Sequence, residues 1–215
     1  MTKLTQVTLG LLAALLLSFG SVSTAYAQQA ASETMDAESV SNTERWYFHA
    51  HLAGHSQSIA NQDDLDAGGG LGLRVGYGVS PLVTLYLGVD GANMSSENDV
   101  SQSLFGDDYT LGIVEFGAQF NFRRDKKLVP YFDTALIGIA SVIDEDGRDA
   151  SIAGPGIGIG GGVKYFVSPE FALDAGLYTA LGGYDEQEIN GDTEDIGVSF
   201  GTGRFAVGIS WYPFQ

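Results

Sequence analysis

The chain has 215 residues, 44% hydrophobic and 17% charged, with 30 Gly, 12 Phe, 10 Tyr, 5 Pro and no Cys. That size fits one β-rich domain, and the lack of cysteine excludes disulfide frameworks, Cys-ligated zinc or iron–sulfur centres and thiol nucleophiles. With 27 acids against 10 bases the formal charge is −17, a field that repels a phosphate backbone, so nucleic acid is not expected as a partner.

The N-terminus reads as an export signal. One positive charge within Met1 to Lys3 precedes the apolar run Leu9 to Phe19, and Ala25-Tyr26-Ala27 is a small-x-small pattern with cleavage after Ala27. The run is about half of the roughly 20 residues that a spanning helix needs, and no basic stop-transfer cluster follows. Residues 28–43 are small, polar and acidic without periodicity, the composition of a disordered leader. The expected organisation is a signal peptide over 1–27, the leader over 28–43 and a single domain over 44–215.

From Arg45 onward the hydrophobic period is two, which predicts strands. Arg45–Gly54 places Trp46, Phe48, Ala50 and Leu52 on one face. Gly70–Val79 sets Leu71, Leu73, Val75 and Tyr77 against Gly72, Arg74, Gly76 and Gly78. The third strand sets Val83, Leu85, Leu87 and Val89 against Thr84, Tyr86, Gly88 and Asp90. Thr110–Phe122, Leu128–Ala140 and Gly156–Val167 follow, and the second of these has apolar residues on both faces, which weakens its register. Phe171–Leu181 alternates Phe171, Leu173, Ala175 and Leu177 with Ala172, Asp174, Gly176 and Tyr178. The last strand sets Phe205, Val207, Ile209 and Trp211 against Arg204, Ala206, Gly208 and Ser210.

The connections alternate. Ser80-Pro81, Arg123–Lys127 and Ser168–Glu170 are short, whereas His55–Gly68, Gly91–Tyr109, Ser141–Pro155 and Gly182–Val198 are expected to be long loops. An even number of strands with short turns at one end and long loops at the other predicts an all-β fold, an eight-stranded antiparallel up-and-down transmembrane barrel. The second parity is too rich in Gly, Ala, Thr and Ser for a water-facing surface, and so it is assigned to the lumen. The first parity is assigned to lipid, with Trp46, Trp211 and Tyr212 as an aromatic girdle.

By that phasing the lumen holds Arg74, Lys164 and Arg204 against Asp90, Glu115, Asp133 and Asp174, groups that must pair in a low dielectric. Reflection about the turns sets Lys164 opposite Asp174 and Glu115 close to Asp133, two carboxylates that require a cation such as Arg74 or Arg204 between them. His49 and His51 share the inward parity, but no third metal ligand can be named. His55 with Ser56 and Ser58 is the local candidate for a base and a nucleophile, without a recognised spacing. No catalytic residue, metal or cofactor is assigned.

Seventeen of the 27 acids fall in the four long connections: Asp63, Asp64 and Asp66; Glu97, Asp99, Asp107 and Asp108; Asp144, Glu145, Asp146 and Asp149; and Asp185, Glu186, Glu188, Asp192, Glu194 and Asp195. They suggest an acidic exterior coat, with divalent cations as bridging partners to lipopolysaccharide. Asp144-Glu145-Asp146-Gly147 lacks the full calcium-loop spacing.

The eight-strand pattern, Leu128-Val129-Pro130-Tyr131-Phe132, the Gly156–Val167 strand with Ser168-Pro169, and the ending Gly208-Ile209-Ser210-Trp211-Tyr212-Pro213-Phe214 resemble the small outer-membrane β-barrels, the OmpA-barrel and OmpX-like family. The resemblance covers residues 45–215. It implies an outer-membrane location in a Gram-negative-type bacterium, periplasmic short turns, exterior loops, and recognition of Phe214 by the barrel-assembly machinery, although Pro213 and Gln215 depart from the family's usual end. The expected function is non-enzymatic: a monomer with a structural, adhesive or surface-binding role through its acidic loops. The alternative is a narrow solute or cation pore with a charged lumen.

Overall fold

The computed structural model describes residues 43–59, 65–96, 108–122, 126–145, 148–189 and 192–213, with side chains described outside 143–149 and 189–193. Eight strands run in chain order: β1 Trp46–Ile59, β2 Asp66–Gly78, β3 Val83–Ser95, β4 Asp108–Asn121, β5 Leu128–Glu145, β6 Arg148–Phe166, β7 Phe171–Ile189 and β8 Asp192–Trp211. Each pairs antiparallel with its neighbours, and β1 closes on β8. Closure removes every unpaired edge, the condition for crossing a bilayer with strands.

Following partners once round the wall, Phe48, Val75, Leu87, Phe116, Leu136, Ile157, Leu181 and Gly201 lead back to Ser58, ten residues above the start. Eight strands with that displacement tilt by about 40° and enclose a core just wide enough for side chains to fill.

The two parities separate as the alternation predicts. Leu52, Leu71, Leu73, Leu87, Val114, Leu136, Ile157, Leu181, Val207 and Ile209 are exposed on the outside, while Tyr47, His49, Arg74, Tyr86, Glu115, Asp133 and Lys164 are buried inside. On β7 the apolar outer face runs from Phe171 to Leu181, which at that tilt is about 25 Å, the height of an outer-membrane lipid belt.

The short end is stapled by a repeated device. In Ser80-Pro81-Leu82-Val83 and Ser168-Pro169-Glu170-Phe171, the first and fourth residues exchange backbone hydrogen bonds, and the serine Oγ accepts the N–H of Val83 at 3.1 Å or of Phe171 at 3.2 Å. Proline in second position pre-sets the turn. The incoming chain is tied to both turns: Thr43 Oγ1 donates to the Pro81 carbonyl at 2.8 Å and the Arg45 guanidinium donates to the Pro169 carbonyl. Thr43, expected in the leader, is therefore part of the barrel; the leader before it and Ala27 lie outside the described residues, as does Phe214.

Three expectations are corrected. First, much of what was read as long loop is strand. β5 and β6 are separated only by Asp146-Gly147, and β7 and β8 only by Asn190-Gly191. The strands of one half, β5 to β8, have 18 to 20 residues against 13 or 14 in β1 to β4. Beyond the lipid the outer face meets water, so polar residues replace the apolar parity and the pattern fades without the strand ending. Asp66, Asp108, Asp144, Glu145, Asp149, Asp185, Glu186, Glu188, Asp192, Glu194 and Asp195 thus lie on strands, while Asp63, Asp64, Glu97, Asp99, Asp107 and Asp146 fall outside the described residues.

Second, Tyr212 is no part of the girdle. It follows the outward Trp211, so its side chain turns inward, where it is 1% exposed and stacks on Tyr47 at 5.8 Å. Trp46 and Trp211 do face out, and both sit at the short-turn end, with Tyr77, Phe48 and Phe171 as ring partners. Third, Glu115 and Asp133 are not cross-strand neighbours: Glu115 pairs with Ile137 and Asp133 with Gln119. Asn121 pairs with Tyr131, so the hairpin is centred on residue 126 rather than on 125, and a centre one residue later moves the partner by two, from Ala135 to Ile137.

Candidate functional site

The lumen is filled in layers. Nearest the short turns, Tyr47, Val129, Phe166, Ala172 and Tyr212 form a buried cluster that surrounds Lys164. The ammonium donates to Gln119 Oε1 at 3.1 Å and to the Tyr212 hydroxyl at 3.3 Å, and lies 4.7 Å from the Tyr47 ring centre and 5.4 Å from that of Tyr131. Lys164 is register partner to Asp174, whose carboxylate accepts the Tyr131 hydroxyl at 2.7 Å. Aromatic faces and neutral acceptors replace the water that a buried ammonium gives up.

The middle layer is an ionic lattice. Arg74 on β2 meets Glu115 on β4 at 2.9 Å and Asp133 on β5 at 3.3 Å, so it stands between the two carboxylates. Arg204 on β8 meets Glu115 at 2.8 Å and Asp90 on β3 at 2.6 Å. All five groups are almost fully buried. Each planar guanidinium bridges two carboxylates with one terminal nitrogen to each, a fork that arginine supplies and lysine does not. Tyr86 and Tyr178 sandwich the Arg74 guanidinium at 4.7 and 4.6 Å, and Tyr178 also faces Arg204 at 4.5 Å.

Tyr86 fits over Gly117 of β4, and Tyr178 and Tyr131 fit because β6 offers no side chains beneath them. A Cβ at Gly160 would stand 2.2 Å from Tyr178 Cδ1, and one at Gly162 would stand 2.5 Å from the Tyr131 hydroxyl. The expected outcome of Gly160→Val is displacement of Tyr178 from both arginines and a loss of about 1–3 kcal/mol, the scale of overpacking, read as a lower urea midpoint for the folded barrel.

The histidines lie along β1 in the same lumen. His51 Nε2 is 2.7 Å from Asp90 Oδ1, His55 Nε2 is 4.0 Å from the same oxygen, and His49 Nδ1 is 3.0 Å from Ser210 Oγ. Among the described residues no group of three or more His, Asp or Glu side chains is arranged to hold a metal ion. His55 does not reach the serines singled out with it: His55 is inward, whereas Ser56 and Ser58 lie on the opposite parity, with their hydroxyls 3.5 Å from the Gly203 and Gly201 carbonyls of β8.

Above the lattice the inner face becomes apolar, which alternation alone had not shown. Ile59, Met94, Leu111, Ile113, Ile137, Ile139, Ile152 and Phe200 pack into one buried cluster. It is topped by a polar knot in which the Tyr109 hydroxyl lies 3.1 Å from both Gln57 Oε1 and Asp66 Oδ2, and Tyr184 contacts Gln57 and Ser141. Between lattice and apolar layer lies a cavity of about 30 Å³ bordered by Glu115, Asp133, Tyr178, Ile137 and Arg204. The sequence signal for the missed tyrosines was their inward parity; for the apolar layer it was the two-sided hydrophobicity of β5.

A fold of this kind belongs to a known class. Residues 12–209 match the family model described as outer membrane protein beta-barrel domain. No curated protein matches the chain by sequence. Among solved structures, Neisserial surface protein A is similar at 20% identity with a TM-score of 0.58, over 78% of this chain and 96% of that one. The outer membrane protein OprG from Pseudomonas aeruginosa is similar at 11% identity with a TM-score of 0.51, over 80% of this chain and 97% of that one. Closed eight-strand topology, a lipid-facing apolar parity and the family match agree: the chain belongs to the outer-membrane β-barrel family and resides in the outer membrane of a Gram-negative-type bacterium.

Proposed function

We propose that this chain is a non-enzymatic, solute-tight barrel that acts at the cell surface through the acidic outer part of its tall wall, in a structural, adhesive or surface-binding role. The observation that carries the reading is the filled lumen: a tyrosine-caged lysine, a lattice of two arginines with three carboxylates, and an apolar layer stand in series across the pathway. A barrel of eight strands has no room for a water channel around them. Surface contacts then fall to the extension of β5 to β8, where Asp185, Glu186, Glu188, Glu194 and Asp195 are exposed, a surface suited to cationic partners or to divalent cations shared with lipopolysaccharide. On the same reading, residues 1–27 are an export signal cleaved after Ala27, Phe214 is the assembly signal, and the folded form is a monomer.

Planar-bilayer recording tests this. The inserted barrel is expected to be electrically silent, and so are Lys164→Ala and Arg204→Ala. Discrete steps whose size or ion selectivity changes in either variant would replace the sealed reading with that of a narrow charged pore.

A further inference from the structure

The charges that close the lumen do not balance. Between Arg45 at the inner mouth and Asp66 at the outer one, the described inward positions carry Arg74, Lys164 and Arg204 against Asp90, Glu115, Asp133 and Asp174. Among these arginine, lysine and carboxylate groups one negative charge is left over, in a space from which bulk water is excluded.

The contacts show where the deficit falls. Asp90 is met by Arg204 at 2.6 Å and by His51 at 2.7 Å, and Glu115 is met by both guanidiniums. Asp174 accepts a hydroxyl and lies across from Lys164. Asp133 has a single ionic contact, 3.3 Å from Oδ2 to an Arg74 already closer to Glu115. Its Oδ1 has no hydrogen-bond partner, although the residue is 1% exposed. An unanswered buried carboxylate oxygen costs several kcal/mol. Asp133 also borders the cavity of about 30 Å³, whose wall includes the hydroxyl-bearing Tyr86 and Thr202, room for a water-sized guest. The charged groups facing Asp133 are Arg74 from β2, Glu115 from β4, Lys164 from β6 and Asp174 from β7, with Tyr47 and Tyr178 around them.

We propose that this cavity is a site for one monovalent cation held by Asp133. The guest is a hydrogen ion on the carboxyl or an alkali-metal ion shared between the carboxylate and the wall hydroxyls. Either supplies the missing charge, and either makes the plug respond to the medium although the lumen is sealed. The inference goes beyond the surface role above, which requires no bound ion.

The test is urea unfolding of the folded barrel in vesicles, for the native chain and Asp133→Asn, in sodium chloride or N-methylglucamine chloride at equal ionic strength and on both sides of neutral pH. Asparagine keeps the shape and removes the charge. If the guest is an alkali ion, sodium shifts the native midpoint to higher urea and leaves Asp133→Asn unmoved. If it is a hydrogen ion, the cations act alike, the native barrel loses stability as pH rises because only the folded state holds the proton, and Asp133→Asn is flat. An infrared band of a protonated carboxyl in the native barrel, absent from the variant, separates the two without relying on stability. Native and variant barrels that respond alike to both conditions, or a native barrel destabilised only by acid together with a weakened Asp133→Asn, would overturn the site and leave Asp133 as an ordinary partner of Arg74.

Discussion

Replacing Arg74 by methionine is expected to cost about 3–5 kcal/mol of barrel stability, the scale of stripping one partner from a buried ion pair. The loss comes less from the contacts themselves than from what they leave behind. Glu115 would keep Arg204 at 2.8 Å, but Asp133 would lose its one ionic contact. Tyr86 and Tyr178 would lose the cation held between their faces. Arg74→Lys is expected to recover little, because a point charge on a flexible stem cannot span two carboxylates on different strands. Adding Glu115→Gln to Arg74→Met is expected to return part of the loss, since it removes one of the charges left with too few partners. Urea titrations followed by the gel mobility of folded against unfolded chain measure all three. A loss below about 1 kcal/mol for Arg74→Met would place the lattice on the exposed-pair scale and deny it a role in closing the lumen.

How far this lattice could be read in advance depends on the kind of pattern involved. Which residues face inward was legible, because lipid demands Leu, Val and Phe on every second position and the lumen tolerates Gly, Tyr and charge; Arg74, Asp90, Lys164, Asp174 and Arg204 follow from parity alone. The pairing of Lys164 with Asp174 was legible because a tight Ser-Pro turn leaves a simple reflection. The same operation failed for Glu115, where the hairpin is centred one residue later than Arg123–Lys127 suggests. Parity itself excluded Tyr212 from the face of Trp211. Strand length beyond the lipid was hidden, since the outer face of β7 passes from Leu181 to Gly183 and Asp185 and, past a register shift, to the exposed Glu186 and Glu188 once water replaces acyl chains. The hairpin signals were nonetheless present: Asp146-Gly147 and Asn190-Gly191 are the dipeptides that two-residue connections favour. Contacts between non-adjacent strands, such as Arg74 with Asp133 or Arg204 with Glu115, need the closed barrel and its tilt before they can be seen at all.

The lipid assignment of the outer parity makes the second large prediction, one that depends on depth. Trp46, Phe48, Trp211 and Phe171 mark the inner edge of the apolar belt, and the belt ends about 25 Å higher. Val207 on β8 stands two outward positions above Trp211, beside Ala175 and Leu52, and with the strand tilt this brings it near the middle of the belt. Leu173 is one outward position above Phe171 and so remains close to the inner headgroups. Val207→Arg is therefore expected to cost about 2–4 kcal/mol and Leu173→Arg about 1 kcal/mol or less, because an arginine near the edge can lift its guanidinium into the headgroups and one at mid-depth cannot. Gly54, whose added Cβ would meet no atom within 4 Å, lies at the outer edge of the same belt, and Gly54→Arg should be nearly neutral. Two edges tolerant of charge around an intolerant centre is the profile of a lipid slab. Equal costs at all three positions would instead mean a uniform surface, and the outer parity would have to be reassigned to water or to a partner protein.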